Sequence, residues 1–239
     1  MKIRGIANPY ALQPFLNRVI HADCLELLQE FPDECIDILL TDIPYGISYQ
    51  SNRRVKTKKF RKLHGDRDIA EWFPDFLHCA VRILKPQSNF LCFCHAKTFA
   101  TIYPIISNTR ELHYRTLLTW DKEWHGSGDL KATWSPTTEF ILHAQKGRRA
   151  LFGGRSQNII RVQRLASTHL QHSTQKPLSL LTQLIEPTTQ PGEVVLDPFC
   201  GSGSTCKAAS LLGRHYIGIE IDSDNYRVAV TNMKSLKHE

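Results

Sequence analysis

Thr41-Asp42-Ile43-Pro44-Tyr45-Gly46 is the stretch on which the reading of this chain turns. It follows an apolar run, Ile36 to Leu40, with the form of a buried strand of a parallel sheet. An acid, a proline and an aromatic thus stand where that strand ends, and open α/β sheets bind ligands outside the carboxyl ends of their strands. Asp42 accepts hydrogen bonds from an amino group, Pro44 stiffens the turn, and Tyr45 offers a flat face for stacking. Together they suit an exocyclic amine on a planar base. Asp and Pro are also common turn residues, so the six residues alone fit an ordinary strand-to-loop turn as well.

A second stretch, Val194-Val195-Leu196-Asp197-Pro198-Phe199-Cys200-Gly201-Ser202-Gly203-Ser204-Thr205, has the form of a strand, a glycine-bearing loop and a helix start. The pair resembles the motifs of the β-class DNA amino-methyltransferases, which methylate adenine N6 or cytosine N4. Asp42 to Tyr45 are similar to the family's D-P-P-Y catalytic motif, with Ile43 in the place of the first proline. Asp197 to Gly203 are similar to its cofactor motif D-P-F-x-G-S-G. The catalytic motif comes first and the cofactor motif last, which is the β-class order.

Working outward, 239 residues suffice for one α/β domain with insertions. No segment reaches the roughly 20 apolar residues of a membrane span, and the N-terminus lacks a signal-peptide pattern. Seven cysteines without C-x-x-C spacing fit reduced thiols in a cytoplasmic protein. Cys92-x-Cys94-His95 reads as two buried structural thiols on one face of a strand rather than a zinc site, so no metal is expected. The formal charge of +7 points to a polyanionic partner. Within the loop 46–64, Arg53, Arg54, Lys56, Lys58, Lys59, Arg61 and Lys62 occur with no acid between Tyr45 and His64. Such a run is more often a solvated face, but its place directly after the Asp42 loop favours phosphate contact.

The remaining segments fall into an α/β alternation. Val19 to Asp23 reads as a strand and Leu25 to Glu30 as a brief helix. Trp72, Phe73, Phe76, Leu77, Ala80, Val81 and Leu84 recur at helical spacing until Pro86. Asn89 to Cys94 returns to strand, Thr98 to Ser107 to helix, and Arg115 to Trp120 and Glu139 to Ala144 to strands. Residues 147–171 differ in kind: Arg148, Arg149, Arg155, Arg161 and Arg164 stand beside Gln157, Asn158, Gln163 and Gln171 with no acid. Arg, Asn and Gln pair bidentately with base edges, so this block is the candidate target-recognition insertion, with Arg161 and Arg164 its leading residues. Lys122 to Thr137, with Trp124, His125 and Trp134, is a candidate to share that task. His172-Ser173-Thr174-Gln175-Lys176-Pro177 then leads into an apolar-faced helix; strand Val194 to Asp197, the glycine loop, a helix to Gly213, strand His215 to Ile221 and a last helix complete the chain.

The glycine loop is no P-loop, because no G-K-[ST] closes it, and as a dinucleotide fingerprint it lacks the third glycine, Cys206 standing there. Glu220, about 20 residues on at the next strand end, is placed to bind ribose hydroxyls. The resemblance selects S-adenosylmethionine as the cofactor. It implies cofactor contacts from Asp197, Phe199, Gly201, Gly203 and Ser204, from Gln175, Lys176 and Pro177, and from Asp23 near the adenine. It also implies a Rossmann-like seven-stranded mixed sheet with helices on both faces, in circularly permuted order, with the N-terminal strand beside C-terminal ones. The implied reaction is direct methyl transfer to adenine N6 of duplex DNA after base flipping. Asp42 and the carbonyl of Ile43 would accept the amine hydrogens, and Tyr45 would stack on the base. Two alternatives stay open: cytosine-N4 transfer, whose enzymes more often carry Ser in place of Asp42, and a catalytically silent DNA-binding protein of the same fold. No Pro-Cys dipeptide occurs, which disfavours cytosine-C5 chemistry. A restriction-modification or an orphan role, and a monomer or a homodimer, are equally compatible with the sequence.

Overall fold

The computed structural model describes residues 11–44, 68–123, 132, 134–165 and 175–235. Tyr45, the basic run Arg53 to Lys62, Trp124, His125 and the segment 166–174 lie outside the described residues. In chain order the elements are β1 (Arg18–His21), α1 (Cys24–Leu27), β2 (Ile36–Asp42), α2 (Ile69–Ile83), β3 (Leu84–Cys94), α3 (Ala96–Ser107), β4 (Leu112–Asp121), β5 (Thr138–Lys146), β6 (Ile159–Arg161), α4 (Leu178–Ile185), β7 (Val194–Asp197), α5 (Ser204–Leu211), β8 (His215–Glu220) and α6 (Ser223–Ser235).

The strands form one mixed sheet in the order β1-β8-β7-β2-β3-β5-β4-β6. β1, β8, β7, β2 and β3 run parallel, β5 is antiparallel to β3 and β4, and β6 is parallel to β4. The N-terminal β1 indeed pairs with the C-terminal β8, His21 opposite Glu220. Among the described residues the sheet has eight strands where seven were expected. The extra strand is β6, drawn from the arginine-rich segment 147–171; its three residues are too few to show a strand period in sequence.

Central strands covered on both faces need apolar residues at every position, and this explains the unbroken run of β2. Leu39 packs with α1, α2 and α3 on one side, while Ile38 and Leu40 pack with α4, α5 and α6 on the other. The same alternation splits Phe90, Cys92 and Cys94 of β3 from Leu91 and Phe93. Both thiols are thus buried core groups facing one side. Among the described residues no group of His, Cys, Asp and Glu is arranged to hold a metal ion, and no helix is long and apolar enough to cross a membrane.

Three boundaries depart from expectation. Asp23 is not in β1: it is the N-cap of α1, its carboxylate accepting from the backbone N–H of Leu25 at 2.8 Å. Pro86 does not stop α2, which ends at Ile83; it lies inside β3 beside Gln87, whose φ of 61° marks an irregularity where β2 and β3 shift register. β5 continues to Lys146, beyond Ala144.

Candidate active site

Successive connections leave β7 and β2 in opposite directions: β7 leads through α5 to β8, and β2 through α2 to β3 on the other side. Such a topological switch opens a crevice at the carboxyl ends of the two strands. β2 ends on Asp42 and β7 on Asp197. A pocket there is lined by Asp42, Gln175, Lys176, Asp197, Phe199, Cys200, Gly201, Ser202, Ser204 and Thr205. The fold therefore brings the two motifs, more than 150 residues apart in the chain, to one cleft. Thr41, the residue before Asp42, joins them directly: its hydroxyl donates to Asp197 Oδ1 at 3.0 Å.

The two acids have different surroundings. Asp197 is buried, with hydroxyls and a backbone N–H as its donors: Thr205, Thr41, and the Phe199 N–H at 3.2 Å. Burial dominates and lifts its carboxyl to about 7. Asp42 meets a cation. Lys176 Nζ lies 2.8 Å from Asp42 Oδ2 and 2.6 Å from Glu139 Oε1, and Lys122 Nζ lies 2.9 Å from Glu139 Oε2. The Lys176 ammonium also sits over the Phe93 ring at 4.7 Å from its centroid. Burial alone would lower its pKa, but Asp42 and Glu139 more than reverse this and hold it above the ordinary lysine range. For Glu139 burial again works against the charge, and the two lysines outweigh it, lowering the carboxyl to about 2.

The loop after β7 is shaped for close backbone approach. Gly201 has φ of +52°, and a Cβ there would meet nothing within 4 Å, so a ligand can approach the bare backbone. Gly203 has φ of +80°, and a Cβ there would come 3.2 Å from Ala229 Cβ on α6. Glu220 is buried, at the end of β8, and accepts from the N–H of Gly201 and of Asp222, each at 2.8 Å. Burial raises its carboxyl above the usual range.

Of the residues singled out in sequence, Asp42, Gln175, Lys176, Asp197, Phe199, Gly201 and Ser204 share the pocket. Gly203 lines an adjoining cavity with Lys207 and Asn232, which shares Gln175, Ser202 and Ser204 with the first. Ile43 is buried in the core on the α2 side, so the residue in the proline's place is a packing group. Pro177 is the N-cap of α4. Asp23 and Glu220 stand on the same carboxyl edge but outside that lining, Glu220 supporting the loop from behind. Arg148, Arg155, Arg161 and Arg164 are exposed, whereas Arg149 is held by both carboxylate oxygens of Glu193 at 2.6 Å. Glu139 was not singled out, and Thr41, Thr205 and Lys122 entered the sequence reading only as ends of longer stretches, without the roles they have here. A lone acid opening the apolar strand Glu139 to Ala144 was the available signal.

The DNA methylase family model for N6/N4 methyltransferases matches residues 36–231. The type II methyltransferase M.HinfI of Haemophilus influenzae is 27% identical, over 95% of this chain and 70% of its own length. The DNA adenine methyltransferase YhdJ of Escherichia coli (strain K12) is 25% identical, over 92% of this chain and 83% of its own. The solved M1.HpyAVI–SAM complex superposes with a TM-score of 0.67 at 24% identity, over 90% of this chain and 98% of that one, a likeness of fold. The matched span runs from the first residue of β2 into α6 and takes in both motifs and the pocket between them, and the chain belongs to the N6/N4 DNA methylase family.

Proposed function

We propose that this DNA methylase transfers a methyl group from S-adenosylmethionine to the N6 amine of adenine in duplex DNA. The observation that carries the reading is the position of Asp42, at the mouth of the cleft that also holds the Asp197–Thr205 loop. When bound, the cofactor would supply a sulfonium-borne methyl group: transfer would form the nitrogen–carbon bond, break the carbon–sulfur bond and release one amine proton to solvent. The residues present fit such a ligand: Gly201, whose N–H is held by Glu220, leaves its backbone open to a close neighbour, and Asp42, Gln175, Ser202 and Ser204 bring polar groups to the same pocket.

Asp42 and the carbonyl of Ile43 accept the two hydrogens of the amine. That draws the nitrogen towards tetrahedral geometry and frees a lone pair otherwise delocalised into the ring. Tyr45 stacks on the base once it has left the duplex. The remaining contribution is alignment of nitrogen and methyl carbon. An acid rather than Ser at position 42 supports adenine over cytosine N4, and so does the likeness to YhdJ. Arg53 to Lys62 serve phosphate contact, and Arg161 and Arg164 base contact.

Nucleoside mass spectrometry of DNA incubated with the protein and labelled cofactor tests the reading. N6-methyladenine is expected, and Asp42→Ala abolishes its formation while leaving cofactor affinity nearly intact. N4-methylcytosine would move the protein to the other branch of the family, and no methylated base on any duplex tested would favour a silent binding protein.

A further inference from the structure

The carboxyl edge of the sheet gathers more than the two motifs. β5 runs antiparallel to β3, so its first residues arrive beside the last residues of β3 and, one strand further, beside Asp42. Phe93 faces Asp42 in register, and Trp120 faces Glu139. Between these positions the Lys176 side chain, 11% exposed, touches both carboxylates and covers the Phe93 ring.

We propose that Glu139 is a positioning residue for methyl transfer, holding the Lys176 ammonium against Asp42 so that this carboxylate keeps one orientation towards the substrate amine. The inference rests on the functional reading above for its link to the reaction. An ammonium held from its other side by a second, buried carboxylate restricts the rotation of the Asp42 carboxylate that it meets. Glu139 is 5% exposed, and Lys122 neutralises its other oxygen, so the row Asp42–Lys176–Glu139–Lys122 alternates in sign and balances its charges within itself. A protonated amine lacks any acceptor, so Lys176 in this state cannot compete with Asp42 for the hydrogens of the substrate amine.

Among the described residues, the charged or titratable groups around Lys176 include Asp42 from β2, Glu139 from β5, Lys122 behind Glu139, Asp197 across the pocket, and Cys94 on β3, whose thiol burial pushes up to about 12. In wild type Lys176 stays charged throughout the working range. Glu139→Gln removes one of its two carboxylates, and burial then brings its titration down towards that range.

The experiment follows the Lys176 ammonium by lysine-selective nitrogen NMR, assigned with Lys176→Met, and single-turnover methylation against pH in parallel. A protected ammonium signal is expected in wild type at alkaline pH and its loss in Glu139→Gln. The transfer rate of Glu139→Gln should fall by roughly tenfold to a hundredfold, with a new alkaline limb and with cofactor and DNA affinities within about twofold of wild type. Glu139→Asp keeps the charge, restores most of the rate, and serves if the Gln variant does not fold. An ammonium signal and a rate both indifferent to Glu139→Gln would overturn the proposal. Wild type that shows the protected ammonium yet methylates no base would leave the clamp in place and refute the functional reading instead.

Discussion

Asp42 and Asp197 close neighbouring strands, and what surrounds each carboxylate decides what it does. Asp42 is paired with the Lys176 ammonium at 2.8 Å, while Asp197 is supported by hydroxyls and a backbone N–H, and burial lifts its carboxyl to about 7. Glu220 is a third case, its two oxygens taken up by the N–H groups of Gly201 and Asp222. It shapes the loop whether or not it also meets the ribose. Glu220→Ala should therefore weaken S-adenosylmethionine binding by about 1.5–3 kcal/mol, the worth of a hydrogen bond to a charged group, while the protein remains folded. Titration calorimetry with a parallel melting curve checks this, and unchanged affinity would remove Glu220 from the cofactor's support.

β6 is the element that sequence reading passed over, and it places the arginines. It pairs parallel to β4, with Asp121 opposite Arg161, and the Trp120 indole donates to the Val162 carbonyl at 2.8 Å. Those bonds fix the backbone from Ile159 to Arg164 on the carboxyl edge of the sheet, while Arg161 and Arg164 stay exposed. The only ion pair Arg161 makes among the described residues is to Asp121 at 3.8 Å, on side chains 64% and 33% exposed, and such a pair holds the guanidinium weakly. Replacing Arg161 or Arg164 with Ala should change the preference among target sites, by roughly 1–3 kcal/mol at one base position. Neutralising two of Arg53 to Lys62 should instead weaken all duplexes alike, lowering the slope of log K against log salt by about 0.9 per lost phosphate contact. Binding isotherms on a panel of duplexes at several salt concentrations separate the two. Uniform weakening by the Arg161 or Arg164 change would make them backbone contacts, and an unaltered salt slope would return the basic run to a solvated face.

The molecule as a whole is tied across its sheet by a buried polar network remote from the cleft. Asn89 on β3 accepts from His143 and Gln145 on β5, each at 3.0 Å, and donates to the Thr188 carbonyl just beyond α4 at 2.9 Å. Burial, aided by Arg115, lowers the His143 imidazole to about 4. A histidine that is harder to protonate folded than unfolded costs stability as pH falls below its unfolded value, and the loss continues until the folded value is reached. Between pH 7 and pH 5 its part should be about 2 kcal/mol. Asp197 works in the opposite direction, since a carboxyl raised by folding favours the folded state as pH falls. The comparison of wild type with His143→Gln isolates the histidine: urea unfolding should show a flatter acid loss in the variant. Parallel curves would mean that His143 is not held neutral.

Sequence alone determined the elements whose burial is local and periodic. The unbroken apolar run of β2, the helical spacing from Trp72 to Val81 and the strand-loop-helix form of Val194 to Thr205 each declare themselves, because a strand covered on both faces and an amphipathic helix need those patterns whatever surrounds them. The two motifs and their order likewise stood in the sequence, and with them the family. Tertiary structure decided what depends on partners far along the chain. The three residues of β6 became a strand only because β4 offered an unpaired edge. Asp23 left its strand to cap α1, and Pro86 passed into β3 because the register shift beside β2 absorbed it. Above all, a lone glutamate opening β5 and a lysine in a motif read as cofactor-binding became Glu139 and Lys176 of one buried ion-pair row against Asp42. No local pattern encodes that contact, because it is the antiparallel return of β5 that carries Glu139 to the carboxyl edge.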